Sequence, residues 1–250
     1  LTRGCPAYRD FTDTPRCVIL CADSISKSFG DSRILSSARL TASAGEIVGV
    51  LGRMGMGKST FLKVCAGILQ PDSGWVEFAG RQYQHPHMSA LARRGMFYLA
   101  ESGNLATGLT VRQHFDIIEK RFGLGDRSGV IELLQLESLI DARAETLSGG
   151  EARRVETAMA MVRRPVCLLA DEAFRGIDPI VCELLGTAFR HLARQGCAIV
   201  LTGHEVNALR PYLDSVVWVT SGTTYSLGDT SAAWKNEGFV REYLGGARKS

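Results

Sequence analysis

Residues 52 to 60 read Gly52-Arg53-Met54-Gly55-Met56-Gly57-Lys58-Ser59-Thr60. They follow the apolar run Ile47-Val48-Gly49-Val50-Leu51 and precede Phe61-Leu62-Lys63-Val64-Cys65-Ala66. The first run reads as a buried strand and the second as a helix. Strand, glycine-rich loop and helix, in that order, form the context of a phosphate-binding loop, or P-loop. The glycines let the backbone curl so that successive N–H groups point inward, and the N-terminus of the following helix adds a positive dipole end. Lys58 then supplies a mobile charge for β- and γ-phosphates, and the Ser59 hydroxyl is placed for Mg²⁺. The alternative is a glycine-rich strand-to-helix turn with an incidental Lys. It leaves the agreement of strand, spacing, Lys, hydroxyl and helix unexplained. The loop implies a bound nucleoside triphosphate without saying what the triphosphate is for.

The rest of the chain reads as an alternation of strands and helices. Cys17 to Cys21 and Ile34 to Leu40 read as strands, Pro71-Asp72-Ser73-Gly74 as a turn, and Trp75 to Phe78 as a half-buried strand. Met96 to Leu99 is a short apolar strand. The pattern then changes: Val111 to Phe122, Val130 to Leu136 and Gly149 to Val162 read as helices, forming a helical lobe at about residues 102 to 160 with its own small core. Strands return at Val166 to Ala170 and Ala198 to Thr202, separated by a helix that starts at Asp178-Pro179, an N-cap followed by Pro at the first helical position. Ser215 to Thr220 and Thr223 to Leu227 read as a closing hairpin. This alternation predicts an α/β fold with a mainly parallel sheet covered by helices on both faces.

Composition narrows the function classes. A chain of 250 residues buries one substantial core, or one core and a small lobe. A net charge of +3 is too weak to argue for nucleic acid. Runs such as Val166-Cys167-Leu168-Leu169-Ala170 are far too short to span a bilayer. Residues 1 to 16 are a polar tail broken by Pro6 and Pro15, without the apolar core of a signal peptide. The chain begins with Leu1, which leaves an unusual start codon, processing or a fragment open. Seven cysteines carry no C-x-x-C pair, and Cys65, Cys167 and Cys197 lie in apolar segments, so they read as reduced thiols in a cytosolic protein. His85-Pro86-His87 reads as a surface loop rather than a metal site.

Two further constellations carry chemistry. The apolar strand ending at Ala170 runs into Asp171-Glu172. A strand buried on both faces delivers its C-terminal residues to the crevice beside the P-loop. Asp171 is then placed to hold Mg²⁺, and Glu172 to polarise a water for attack on the γ-phosphate; the alternative makes both the polar cap of a core strand. Leu147-Ser148-Gly149-Gly150-Glu151 opens a helix, with Ser148 and Glu151 as a capping box and Ala152, Val155, Ala158, Met159 and Val162 marking its buried face. The cap does not explain Gly149-Gly150, since glycine weakens a helix start. A bare helix N-terminus is also an anion site.

The P-loop, the Leu-Ser-Gly-Gly-Glu signature and the Asp-Glu strand end, in this order and joined by Ile177-Asp178 and His204, resemble the ATP-binding cassette (ABC) ATPase family. The likeness runs from about Cys17 to the end of the chain, residues 17 to 250. The signature falls about ninety residues after the P-loop, which fits an inserted helical subdomain. The resemblance implies a P-loop NTPase core, a small antiparallel β subdomain and the helical lobe. It implies Mg²⁺-dependent ATP hydrolysis, with ATP and Mg²⁺ as ligands. By position, Phe29 matches the aromatic that stacks on adenine. Ser148, Gly149, Gly150 and Glu151 match the signature that closes on the ATP of a second subunit. Asp178 matches the acid at the dimer seam, and His204 the switch residue near the γ-phosphate and attacking water. Lys58, Glu172 and His204 become the catalytic set, and Ser59, Asp171 and Glu101 the metal set. The implied partners are a second cassette, in a head-to-tail homodimer or heterodimer, and separate transmembrane permease subunits. The implied location is the cytoplasmic face of the membrane.

Three positions depart from the family pattern. Glu101 stands where a Gln touches Mg²⁺ and water, Ala173 where Pro is usual, and Gly203 where an Asp often precedes the His. Glu101 adds negative charge near the γ-phosphate; attraction to the metal is expected to make it a serviceable ligand. The stretch Asp171 to Pro179 and the C-terminal Val240 to Gly245 are most similar to stand-alone cassettes of branched-chain amino acid importers and of lipopolysaccharide and lipid exporters. Two alternatives remain: a soluble ABC ATPase acting on DNA or ribosomes, which usually carries coiled-coil or zinc insertions absent here, and a slow regulatory ATP-binding module, which only Glu101 supports.

Overall fold

A computed structural model describes residues 17–123 and 125–245; the polar stretch 1 to 16 lies outside the described residues. The first two strands, β1 (Val18–Phe29) and β2 (Ser32–Ser43), pair antiparallel. Both exceed the apolar runs Cys17–Cys21 and Ile34–Leu40. Their register slips at several points, with Ser24 and Ser37 in the left-handed region. Bulges of this kind carry a strand on through polar residues where simple alternation fails. β3 (Ile47–Leu51) feeds the P-loop, and α1 (Lys58–Cys65) leaves it. β4 (Ser73–Phe78) and β5 (Arg81–Tyr83) complete an antiparallel sheet of order β2-β1-β4-β5, the small β subdomain. β5 and the short helix α2 (Met88–Arg93) have no counterpart in the sequence reading, being too short to show a period.

After β6 (Met96–Leu99) come α3 (Val111–Phe122), α4 (Arg127–Leu133) and α5 (Gly149–Arg163). α3 matches its predicted span and opens on a Thr110/Gln113 capping box. α4 lies earlier than Val130 to Leu136, because the Asp126 side chain accepts the Gly129 N–H at 3.0 Å and sets the start. The helical region does not have a core of its own. Phe115, Ile118, Val130 and Leu134 belong to the same buried cluster as Leu168, Ala170 and Leu201 of the sheet. α5 bridges them through Val155, Ala158, Met161 and Val162.

The remaining elements are β7 (Cys167–Ala170), α6 (Pro179–Arg194), β8 (Ala198–Gly203), α7 (Val206–Leu209), β9 (Ser215–Thr220), β10 (Thr223–Gly228), α8 (Thr230–Lys235) and α9 (Glu237–Glu242). The second sheet has the order β10-β9-β3-β8-β7-β6, parallel throughout except for β10. Its central strands β3, β7 and β8 are buried on both faces. Ile47, Leu51, Leu168, Ala170, Ile199 and Leu201 face the helices, while Val48, Val50, Cys167, Leu169, Ala198 and Val200 face α1 and the antiparallel sheet. This period of two sandwiches one sheet between two cores. The parallel register pairs Ala170 with Leu201 and Leu51 with Gly203. The residues that follow each strand, namely the P-loop, Asp171-Glu172 and His204, therefore emerge along one edge, the position where open α/β sheets bind ligands.

Candidate active site

The P-loop is built by close approach. A Cβ on Gly52 would lie 2.3 Å from the Val219 carbonyl oxygen, so only glycine lets the loop pass that strand. Gly57 caps α1 at φ +93° without any side-chain hydrogen bond, and the first turn of the helix holds no acid. Its N–H groups are thus open to an anion. Lys58 is 5% exposed. Its Nζ donates to the carbonyls of Gly52 at 2.9 Å and Arg53 at 3.1 Å, and stands 3.8 Å from Glu172 Oε1. Burial pulls the ammonium below its ordinary pKa, and the carboxylates of Glu172 and Asp171 work against that.

Asp171 is buried and fully engaged. Its Oδ1 accepts from Ser59 Oγ at 2.9 Å and from Thr202 Oγ1 at 2.7 Å, and its Oδ2 accepts from Tyr98 O–H at 3.0 Å. Ser59 and Asp171 thereby present two adjacent hard oxygen donors, a set that suits Mg²⁺ completed by phosphate and water oxygens. Burial first, then the Asp171 charge, raise the Tyr98 phenol beyond its normal range, so it acts as a donor only. Glu172 sits in the left-handed region at φ +48°. That conformation is costly for a residue other than glycine and is held here from both sides. Its N–H donates to Thr202 Oγ1 at 2.8 Å, and its carbonyl accepts from Arg153 at 3.1 Å. The carboxylate is left spanning Lys58 and His204, with Oε2 2.8 Å from His204 Nδ1.

Lys58, Ser59, Glu172 and His204 open on a cleft of about 370 Å³, lined also by Phe29, Ile34, Met54, Gly55, Gly57, Thr60, Glu101 and Arg175, while the buried Asp171 does not line it and reaches it through Ser59. Phe29 stands half-exposed at the end of β1, with Lys27 Nζ 5.6 Å from its ring centroid. Glu101 lines the cleft with its carboxylate paired to Arg175. Three members of the P-loop do not line it. Gly52 is buried against Val219, Met56 packs on the core below, and Arg53 donates to the Glu242 carbonyl at the end of α9. Tyr98, Thr202, Arg153 and Arg175 were missed in the sequence. Each acts across strands or loops, and no local spacing announces it.

Ser148, Gly149, Gly150, Glu151 and Asp178 lie elsewhere. The capping box forms as predicted, with Glu151 Oε2 accepting the Ser148 N–H at 2.8 Å and its hydroxyl at 2.7 Å, bonds that lower the Glu151 pKa. Asp178 caps α6 by accepting from Ile180 and Val181. Gly149 would meet nothing if given a Cβ. Gly150 would meet only Val181 at 3.6 Å and Asp178 at 3.9 Å, ordinary contact distances. Packing inside this chain therefore does not require glycine at either position. Ile180, 72% exposed, extends the same patch.

The Gly203 departure has a packing reason. A Cβ there would fall 2.6 Å from Leu209 Cδ1. Gly203→Asp is expected to destabilise the chain by about 1–3 kcal/mol through overpacking. Adding Leu209→Ala should reduce that cost relative to the cost of Leu209→Ala alone, as read by denaturant unfolding of the four proteins. An additive pair of effects would refute the steric account.

The family model described as ABC transporter matches residues 35–175. The chain is 30% identical over 232 residues to a probable ABC transporter ATP-binding protein of Azorhizobium caulinodans, covering 90% of this chain and 83% of that one. It is 31% identical over 233 residues to the lipopolysaccharide export system ATP-binding protein LptB of Escherichia coli K12, covering 90% and 97%. Among solved structures, the ADP conformation of an ATP-binding cassette of an ABC transporter superposes with TM-score 0.80 at 22% identity, over 91% of this chain and 99% of that one. A bacterial ABC transporter cassette solved as a dimer gives TM-score 0.73 at 22% identity, over 84% and 99%. Motif order, strand-end geometry and these likenesses converge: the chain belongs to the ABC transporter family, as one of its ATP-binding, ATP-hydrolysing cassettes.

Proposed function

We propose that this cassette hydrolyses ATP with Mg²⁺ in the cleft between the P-loop and the ends of β7 and β8, as one of two copies that drive separate membrane subunits. One observation carries the reading most. The Glu172 carboxylate is fixed between Lys58 and His204, beside the Ser59–Asp171 oxygen pair. Lys58 and the α1 N-terminus neutralise and orient the phosphates, and Phe29 stacks the adenine. Ser59 and Asp171 would hold Mg²⁺, which would supply positive charge to stabilise the phosphates during transfer. Glu172 orients and polarises the attacking water, and His204 holds the Glu172 carboxylate on its far oxygen. Catalysis is then positioning and charge stabilisation.

The signature patch supports the two-copy arrangement. Ser148, Gly149, Gly150 and Asp178 lie off this chain's own cleft, and the two glycines serve no packing need within it. A head-to-tail pair would bring this patch onto the partner's phosphates through an isologous contact. No helix of the described residues is long and apolar enough to cross a membrane. The reading assigns passage through the bilayer to permease subunits, with this chain on their cytoplasmic face.

The test is the ATPase rate of the purified chain against Mg²⁺ and against protein concentration. Activity should vanish with EDTA, and specific activity should rise with concentration as two copies assemble. Constant specific activity, with only monomer in sedimentation, would sink the two-copy reading. Turnover that survives EDTA would sink the metal assignment.

A further inference from the structure

Glu101 and Arg175 meet as an ion pair at the cleft, and both line it. Their loops are anchored at the Glu172 end. The Arg175 N–H donates to the Glu172 carbonyl at 3.1 Å. Ala100, one residue before Glu101, has its carbonyl bound by Arg153 at 2.8 Å, and the same guanidinium holds the Glu172 carbonyl. The side chains are about half exposed, 43% for Glu101 and 52% for Arg175. A pair so wet adds little to the fold. Its consequence is the charge balance of the cleft. Lys58 is committed to two carbonyls and the Glu172 carboxylate, whose other oxygen is on His204. Glu101 is a further carboxylate at this end, and Arg175 is the cation that answers it.

We propose that Arg175 is a positioning residue for nucleotide. By holding Glu101 it neutralises a carboxylate at the γ-phosphate end of the cleft and keeps it turned from the triphosphate, so that ATP is accepted there in preference to ADP. The inference rests on the ATPase reading above and concerns only its γ-phosphate end. The guanidinium fork suits the task, since it grips a carboxylate through two donors while remaining charged. Like charges at short range disfavour each other, so a freed Glu101 would act against the γ-phosphate specifically and leave the adenine and the α- and β-phosphates alone.

The experiment is a double-mutant cycle on the full chain, reading KM and kcat for ATP and the inhibition constant of ADP. Arg175→Ala should raise the KM for ATP about tenfold, more than it lowers kcat, while the ADP constant moves less than about threefold. Adding Glu101→Gln should bring that KM back to within about threefold of wild type, and Arg175→Lys should recover most of it. Thermal unfolding should stay level across the set, as a surface pair requires. Equal weakening of ATP and ADP, or a double variant no better than Arg175→Ala, would overturn the proposal. So would a Glu101→Gln defect confined to low Mg²⁺, which would make Glu101 a metal ligand. A wild-type chain without ATP turnover would instead overturn the ATPase reading itself.

Discussion

Glu172→Gln is expected to cut ATP turnover by at least about 10² while ATP binding survives. The expectation follows from how the residue is held. Its backbone is fixed in a left-handed conformation by Thr202 on the N–H and Arg153 on the carbonyl, neither of which touches the carboxylate. A Gln in the same place keeps that backbone and nearly the same volume. Its amide oxygen can still face Lys58 or His204, so the cleft should keep its shape and its affinity. The amide cannot polarise water as a carboxylate does. The loss should therefore fall on kcat, with KM for ATP nearly unchanged. Because ATP is bound and not consumed, the variant should also accumulate as an ATP-dependent dimer in sedimentation or light scattering. Wild-type turnover in the purified variant would remove Glu172 from the catalytic role. A parallel loss of ATP binding would show that the carboxylate instead shapes the phosphate site.

What could be read from the sequence was local. The P-loop announces itself because its glycines, Lys58 and Ser59 are contiguous and flanked by a strand and a helix of different period. The Ser148/Glu151 capping box and the Asp178-Pro179 helix start were legible for the same reason, since each is a short-range hydrogen-bond rule. The second layer of the site was not. Thr202 and Tyr98 reach Asp171 from β8 and β6, and that meeting depends on the parallel register of three strands. Arg175 reaches Glu101 across two loops. The helical region failed as a separate core for a related reason. α5 is buried on more than one side, so its pattern does not reveal that one face joins α3 while another joins the sheet. Its polar Arg153 and Glu156 fall on buried positions that hydrophobic periodicity can only count as exceptions.

Arg153 is where the largest stability effect is expected. It is 6% exposed, and its five N–H donors match five acceptors. These are the carbonyls of Ala100 at 2.8 Å, Asp171 at 3.0 Å, Glu172 at 3.1 Å and Ala173 at 3.2 Å, and the carboxylate of Glu156 at 3.0 Å. One side chain of the signature helix thus holds the loop before Glu101 and the whole turn after β7. Arg153→Met keeps much of the buried volume but strips every bond. It strips the donor from the carbonyls of Asp171 and Ala173, leaves those of Ala100 and Glu172 with only the Asn104 amide and the Arg175 N–H, and leaves Glu156 buried beside no cation, a loss of about 3–5 kcal/mol. At roughly 2–4 °C per kcal/mol for a chain of this size, the midpoint of thermal unfolding should fall by about 6–20 °C. Arg153→Lys should be intermediate, since it restores the charge but has three donors for five acceptors. Arg153→Met with Glu156→Leu separates the two causes. Removing the orphaned carboxylate should return part of the stability, while the carbonyls of Ala100, Asp171, Glu172 and Ala173 still lack their Arg153 donor. Turnover should not return with it, because the Glu172 backbone is still released from one side. Thermal unfolding and steady-state ATPase on the four proteins decide the matter. A midpoint shift under about 2 °C for Arg153→Met would show that water satisfies these carbonyls without help. Full recovery of turnover in the double variant would show that the site needs only a neutral, well-packed helix beneath it.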